Sequence, residues 1–232
     1  MKTIGIIGGM GPLATVDLYK KIVLKTKAEL DQEHIHVLID SNTNIPDRTK
    51  SIISRAESPL NEMIKSAKNL ENSGADFLIM SCNTAHYYYN DLCQAINIPF
   101  LNMLEETVKF IERTYGKNII AGLLATDGTI STGIYDEYLN KSNIKVIKPQ
   151  QTQKYVMEFI YEGIKKGNFS MGTSRFLEAI KELKENGAEI FILGCTELSS
   201  ANEIFNFKGN FIDPLDVIAE RAIEFAGGVV KK

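Results

Sequence analysis

Short apolar runs alternate with stretches of helical spacing along most of the chain. Residues 3–7 form a β-rich run. Residues 12–30 follow with apolar positions three and four apart, opened by Pro12, which suits the first position of a helix. The pattern continues as strand over 36–39, helix over 59–72, strand over 77–80, helix over 85–96, a short strand at 99–101 and a connecting helix over 105–115. It then resumes with strand 119–124, helix 130–140, strand 144–147, helices 154–165 and 174–185, and strand 190–193. Alternation of this kind predicts parallel sheets with helices on both faces.

The pattern is also written twice. Asn72-Ser-Gly-Ala-Asp-Phe-Leu-Ile-Met-Ser-Cys82-Asn-Thr84 lies over Glu185-Asn-Gly-Ala-Glu-Ile-Phe-Ile-Leu-Gly-Cys195-Thr-Glu197, so that Gly74, Ala75 and Cys82 meet Gly187, Ala188 and Cys195 at an offset of 113. Gly5-Ile-Ile-Gly-Gly-Met-Gly11 lies over Gly122-Leu-Leu-Ala-Thr-Asp-Gly128 at an offset of 117. Two blocks in one order at nearly one offset predict two similar α/β lobes. Each lobe has a glycine-rich strand-to-helix turn and a cysteine at the end of a strand.

The chain has 232 residues, net charge −3, 44% hydrophobic and 24% charged residues, an ordinary globular balance that gives no sign of a nucleic-acid partner. No apolar run reaches membrane-spanning length. The first stretch is broken by Gly5, Gly8, Gly9 and Gly11, which is wrong for a signal-peptide core, so a cytoplasmic location is expected. The three cysteines, Cys82, Cys93 and Cys195, show no metal-ligand spacing and are expected as thiols. With only His34, His36 and His86 besides, no metal site is expected.

In open parallel sheets, ligands bind beyond the carboxyl ends of the strands. Cys82 and Cys195 fall there, each before a polar helix start, Asn83-Thr84-Ala85 and Thr196-Glu197-Leu198. Backbone N–H groups and the helix dipole at such turns favour anions and can draw a thiol pKa from about 8.5 towards neutrality. Two sulfurs facing each other across a cleft could take a proton from one face of a carbon and return one to the other. The helix starts would hold a carboxylate and stabilise charge growing beside it. A lone strand-end cysteine is more often packing than chemistry, because free cysteine is among the most buried residue types. The matched positions in both halves favour chemistry here. Cys93 has no counterpart in the second half and falls inside a predicted helix, which makes it core.

The Ile6-Ile-Gly-Gly-Met-Gly-Pro-Leu-Ala-Thr15 opening, Ile45-Pro-Asp-Arg48-Thr49, Ser81-Cys-Asn-Thr-Ala-His86 and Gly194-Cys-Thr-Glu-Leu198 together resemble the aspartate/glutamate racemase family over essentially the full chain. The resemblance implies two pseudo-symmetric lobes, each a parallel sheet flanked by helices, with the active site in the cleft between them. It also implies homodimers and cofactor-independent racemisation of an acidic amino acid. Aspartate is the first expectation, with glutamate or both as alternatives. Cys82 and Cys195 would be the acid/base pair. Asn83, Thr84 and Thr196 would hold the α-carboxylate and amino group, Thr126 and Thr129 would line the cleft, and Met10 would close one edge. Ala125 stands where relatives often carry Gly. Arg48 would grip the distal carboxylate, as would Lys165 or, less well by family spacing, Lys166.

Plainer roles compete for several of these residues. Arg48 could be a surface-loop residue and Lys165 a solvated helix end, where cations are favoured anyway. His86 is expected to pack or to orient the thiol, Tyr87-Tyr88-Tyr89 to form a packing or dimer surface, and Glu197 to cap its helix or touch Thr196 without a catalytic role. The expected division puts residues 1–101 and about 210–232 in the first lobe and 102–209 in the second. A rival of another class is an NAD-dependent oxidoreductase. Gly9-Met-Gly11-Pro-Leu-Ala14 fits a dinucleotide fingerprint and Asp40 ends the second strand, but that reading leaves the cysteine blocks unexplained.

Overall fold

A computed structural model describes residues 1–231 of the chain. The first half runs β1 (Ile4–Gly8), α1 (Pro12–Lys25), β2 (Val37–Ser41), α2 (Arg48–Ser54), α3 (Leu60–Asn72), β3 (Phe77–Met80), α4 (Tyr89–Ala95) and α5 (Met103–Tyr115). The second runs β4 (Ile120–Leu124), α6 (Asp127–Thr132), α7 (Ile134–Lys141), β5 (Lys145–Ile147), α8 (Gln153–Glu158), α9 (Ser174–Glu185), β6 (Ile190–Leu193), α10 (Thr196–Phe205), β7 (Phe211–Ile212) and α11 (Pro214–Ala226). Every residue of β1, β3 and β6 is buried. These strands therefore read as continuous apolar runs, as parallel strands covered on both faces do.

The internal repeat is visible in the topology. The first sheet has the order β2-β1-β3 and the second β5-β4-β6-β7, with all pairs parallel. Outside β6 sits β7, with Ile212 opposite Ile192. The equivalent seat in the first lobe is taken by Phe100, bridged to Leu78. Residues 99–101, predicted as a strand, thus make a single bridge, because Pro99 offers a carbonyl to Leu78 but has no N–H to extend the ladder.

Other departures from the sequence reading have local causes. The helix predicted over 12–30 ends at Lys25, where Thr26 turns extended, bonds back to the Ile22 carbonyl and bridges Val230. The helix predicted over 85–96 opens as a 3₁₀ turn, Thr84–Tyr88, before α4. The helix predicted over 130–140 is two, parted at Gly133, whose φ of 64° is open to glycine at little cost. The stretch predicted as helix over 154–165 is α8, then a π-helical turn (Phe159–Gly163) and a 3₁₀ turn (Ile164–Lys166). Helix α2 is absent from the apolar pattern and is started by Asp47, whose side chain accepts from the Lys50 N–H. β7 extends the second sheet by pairing with β6, and Phe191 N–H bonds the Asn210 carbonyl. After β7, α11 packs on α1 and α5.

The largest apolar cluster joins both sheets: Ile6 and Ile79 of the first and Leu123 and Ile192 of the second belong to it, with α5 and α11 supplying Val108, Ile111, Ile218 and Ala222. Cutting one of these isoleucines to alanine costs roughly 2–5 kcal/mol. Two smaller clusters cover the outer faces, one containing Cys82 and the other Cys195. No helix among the described residues is long and apolar enough to cross a membrane.

Candidate active site

Cys82 follows β3, and Cys195 follows β6 and occupies the residue before α10. Both are buried, and both line one narrow cleft between the lobes. Of the residues expected at the site, Met10, Arg48, Thr84, Thr126 and Lys165 line it too. Asn83, Thr129 and Thr196 are fully buried beside them and do not line the cleft. Lys166 is exposed and paired with Glu162. Four lining residues were not anticipated there: Asp47, Thr49, Tyr161 and Glu197.

Arg48 is buried and opens α2, not a surface loop. Nη1 donates to the Ile45 and Pro46 carbonyls at 3.3 and 3.0 Å, and Nη2 to the Met10 carbonyl at 2.9 Å. The buried Nε has no partner. Burial works against the cation, but the Cys82 sulfur, Asp47 and Glu197 more than offset it and hold the guanidinium above its usual pKa. Lys165 lies 2.8 Å from Glu197 Oε1 and 5.3 Å from the centre of the Tyr161 ring. Asp47 also accepts from the Tyr161 hydroxyl at 3.1 Å, tying α2 to the second lobe.

The two cysteines differ in company. Cys195 donates its thiol proton to Glu197 Oε2 at 2.9 Å. Burial, and then the Glu197 charge, push the Cys195 thiol well above its usual pKa, with Lys165 pulling the other way. Burial raises the Glu197 carboxyl, but Lys165 and the Cys195 thiol reverse this and leave it below the usual carboxylate range. The Glu197 carboxylate is thus tied to Cys195 and Lys165, while the Thr196 hydroxyl donates to the Ser81 carbonyl at 3.1 Å.

A cluster of hydroxyls closes the floor between the lobes. Thr84 Oγ1 lies 3.0 Å from Thr126 and 2.8 Å from Thr129, and Thr49 donates to Thr126 at 3.2 Å. Asn83 Oδ1 accepts from Tyr135 at 2.6 Å, while its buried Nδ2 has no partner. His86 pins the strand end. Met103 N–H donates to Nε2 at 3.1 Å, which leaves Nδ1 as the donor to the Cys82 carbonyl at 2.8 Å. Burial pushes this imidazole down to about 4.

Asp47 had a legible signal, since an Asp just before a helix is a favoured cap. Tyr161 had none, because it reaches the cleft only through the π-helical turn. The glycine-rich turn after β1 is also committed. Gly9 N–H donates to Thr15 Oγ1 at 2.9 Å, and the Met10 carbonyl receives Arg48. An amide that a dinucleotide phosphate would use is taken.

Two parallel-sheet lobes thus enclose one cleft, with a strand-end cysteine from each. The sequence profile of the Asp/Glu/hydantoin racemase family matches residues 7–222, and the chain belongs to that family. It is 30% identical over 224 residues to the broad specificity amino-acid racemase RacX of Bacillus subtilis (strain 168), covering 95% of this chain and 96% of that one. The fold superposes on Picrophilus torridus aspartate racemase with a TM-score of 0.88 at 33% identity, covering 100% of this chain and 97% of that one. An aspartate racemase homologue from Pyrococcus horikoshii OT3 gives a TM-score of 0.76 at 25% identity, covering 98% and 100%. The chain is thus an isomerase of the racemase class, which sets the oxidoreductase reading aside.

Proposed function

We propose that this chain racemises an acidic amino acid, aspartate first, by cofactor-independent proton transfer between Cys82 and Cys195. The observation that carries the proposal is that one sulfur from each lobe lines a single cleft that also holds Arg48 and Lys165. One thiolate removes the α-proton while the opposite thiol supplies one to the other face. Asn83 Nδ2 and the hydroxyls of Thr84, Thr126, Thr129 and Thr196 bind the α-carboxylate and amino group, directly or through one another. Arg48, with its free Nε, and Lys165 receive the distal carboxylate, and Met10 closes the edge. Arginine suits a planar carboxylate because its donors form a fixed fork.

The likeness to the Picrophilus torridus enzyme supports aspartate, and the likeness to the Bacillus subtilis enzyme supports a wider range. The buried Arg48 favours the dicarboxylic substrates, since its charge is left unmatched when the substrate side chain is neutral, and Lys165 adds a second cation at the same cleft. Assembly as a homodimer and a cytoplasmic location go with this reading. Exposed Val16 and Leu24 on α1 offer apolar surface for a second copy, and light scattering tests it.

The test is incubation of L-aspartate in D₂O without added cofactor, following loss of the α-proton signal and growth of the D form. Glutamate and alanine are run alongside. Cys82→Ala and Cys195→Ala should each abolish exchange with inversion, and racemisation surviving either change contradicts the two-thiol scheme.

A further inference from the structure

The two thiols have the same exposure, 6% each, yet opposite neighbours. Cys195 points its proton at the Glu197 carboxylate, 2.9 Å away, on its own helix α10. Among the described residues no carboxylate hydrogen-bonds the Cys82 thiol, and the Arg48 guanidinium is the charge set against it. We propose that Glu197 makes the pair unequal: it holds Cys195 as the proton donor of the free enzyme and leaves Cys82 as the base that takes the first α-proton. This rests on the two-thiol reading above and assigns the roles within it.

The titratable groups facing Cys195 are Glu197 from α10, Lys165 and Tyr161 from residues 159–166, Tyr135 from α7, and Cys82 from the first lobe. A carboxylate that accepts a hydrogen bond from the thiol stabilises S–H and opposes the thiolate. Lys165 attracts a thiolate, but its ammonium already lies 2.8 Å from the other oxygen of Glu197. The carboxylate therefore dominates the local field at Cys195. Its effect is in keeping with the raised affinity of that sulfur for its proton.

The step balances as follows. The Cys82 sulfur forms S–H as the Cα–H bond breaks, and the electron pair stays on the substrate beside the α-carboxylate. Cα then takes the proton of Cys195 on the opposite face, and the S–H pair stays on Cys195. The new Cys195 thiolate faces Glu197, so the enzyme is reset when Cys195 regains a proton from solvent and Cys82 gives one up. Because enantiomers have equal free energy, kcat/KM is the same in both directions whatever the assignment. The inequality has to be read on the sulfurs themselves.

The experiment is labelling with iodoacetamide between pH 6 and 10, quantified at each cysteine by peptide mass spectrometry in the wild type, Glu197→Gln and Glu197→Asp. At pH 7.5 Cys82 should label about tenfold faster or more, because the thiolate is the form that reacts. Cys195 should catch up only under alkaline conditions. Glu197→Gln should move the Cys195 profile down by about a unit or more while leaving that of Cys82 in place, and Glu197→Asp should keep the wild-type order. Equal labelling in the wild type, or a Cys195 profile in Glu197→Gln that superimposes on the wild type, overturns the proposal. Should Glu197→Gln fail to fold, the wild-type ratio decides alone. Labelling needs no turnover, so this outcome is separate from the deuterium exchange of the cysteine variants, which judges the two-thiol scheme.

Discussion

Gly128 at the start of α6 lies so close to Thr49 on α2 that a methyl group placed on it would come 2.7 Å from the Thr49 hydroxyl and 2.9 Å from its Cα. The two helices belong to different lobes, and Thr49 reaches across to Thr126 at this contact. We expect Gly128→Ala to wedge α2 away from α6 at a cost of about 1–3 kcal/mol, the usual range for overpacking. Racemisation should fall more than stability does, because Arg48 rides on the displaced helix. Thermal unfolding and steady-state rates measured on the same preparation check both halves of this expectation.

Arg48 is expected to discriminate by charge. Arg48→Met should lower kcat/KM for aspartate by roughly 30-fold, the worth of a charge-assisted contact of about 2 kcal/mol. Turnover of a neutral amino acid, where detectable, should change less. A panel of aspartate, glutamate and alanine on one variant reads the difference directly, and equal losses for all three would mean that Arg48 only supports the fold through its bonds to Ile45, Pro46 and Met10.

The buried imidazole of His86 has a consequence for stability. Its pKa is about 4 in the folded chain against 6.5 for the free group, so the unfolded chain binds the extra proton first as pH falls. The stabilisation is complete above about pH 6.5 and is lost progressively down to about 4, a change of roughly 3 kcal/mol. Carboxylates held low, such as Glu182 and Glu203, act only below their ordinary range near 4.5, and the buried Asp213, whose carboxyl is raised by burial, acts in the opposite sense, so a loss of stability between about 6.5 and 5 is the contribution of His86. Urea midpoints across that window should fall in the wild type and not in His86→Gln.

Tyr135 is fully buried, and its hydroxyl donates to Asn83 Oδ1. Tyr135→Phe leaves that oxygen without a donor, and we expect a loss of about 1–3 kcal/mol, seen as a Tm several degrees lower. Asn83 would also turn more freely, so KM should rise. An unchanged KM would separate the role of Asn83 in packing from any role in binding.

The sequence discloses the parts of this fold that are governed by local pattern. The buried runs of β1, β3, β4 and β6 and the amphipathic spacing of α3 and α9 are readable because each element meets the core along one periodic face. The repeat that pairs Cys82 with Cys195 is readable for the same reason, since both close a strand that is apolar throughout. Helix α2 is not, because Arg-Thr-Lys-Ser-Ile-Ile-Ser has no stripe of helical period and depends on the Asp47 cap. The breaks at Gly133 and around Gly163 are backbone events that an apolar pattern passes over. Glu197 was in view, but its partners Cys195 and Lys165 are set by the rotamer and by the turn at 164–166, neither of which spacing reports.

The cluster that runs unbroken from Ile6 and Ile79 to Leu123 and Ile192 ties the halves into one mechanical unit. A hinge that swung whole lobes apart would have to expose that shared interior to water, so substrate admission falls to the small parts at the mouth, α2 and the turns over 159–166. The chain should then melt in a single transition, and amide exchange faster than global unfolding should be confined to those two segments.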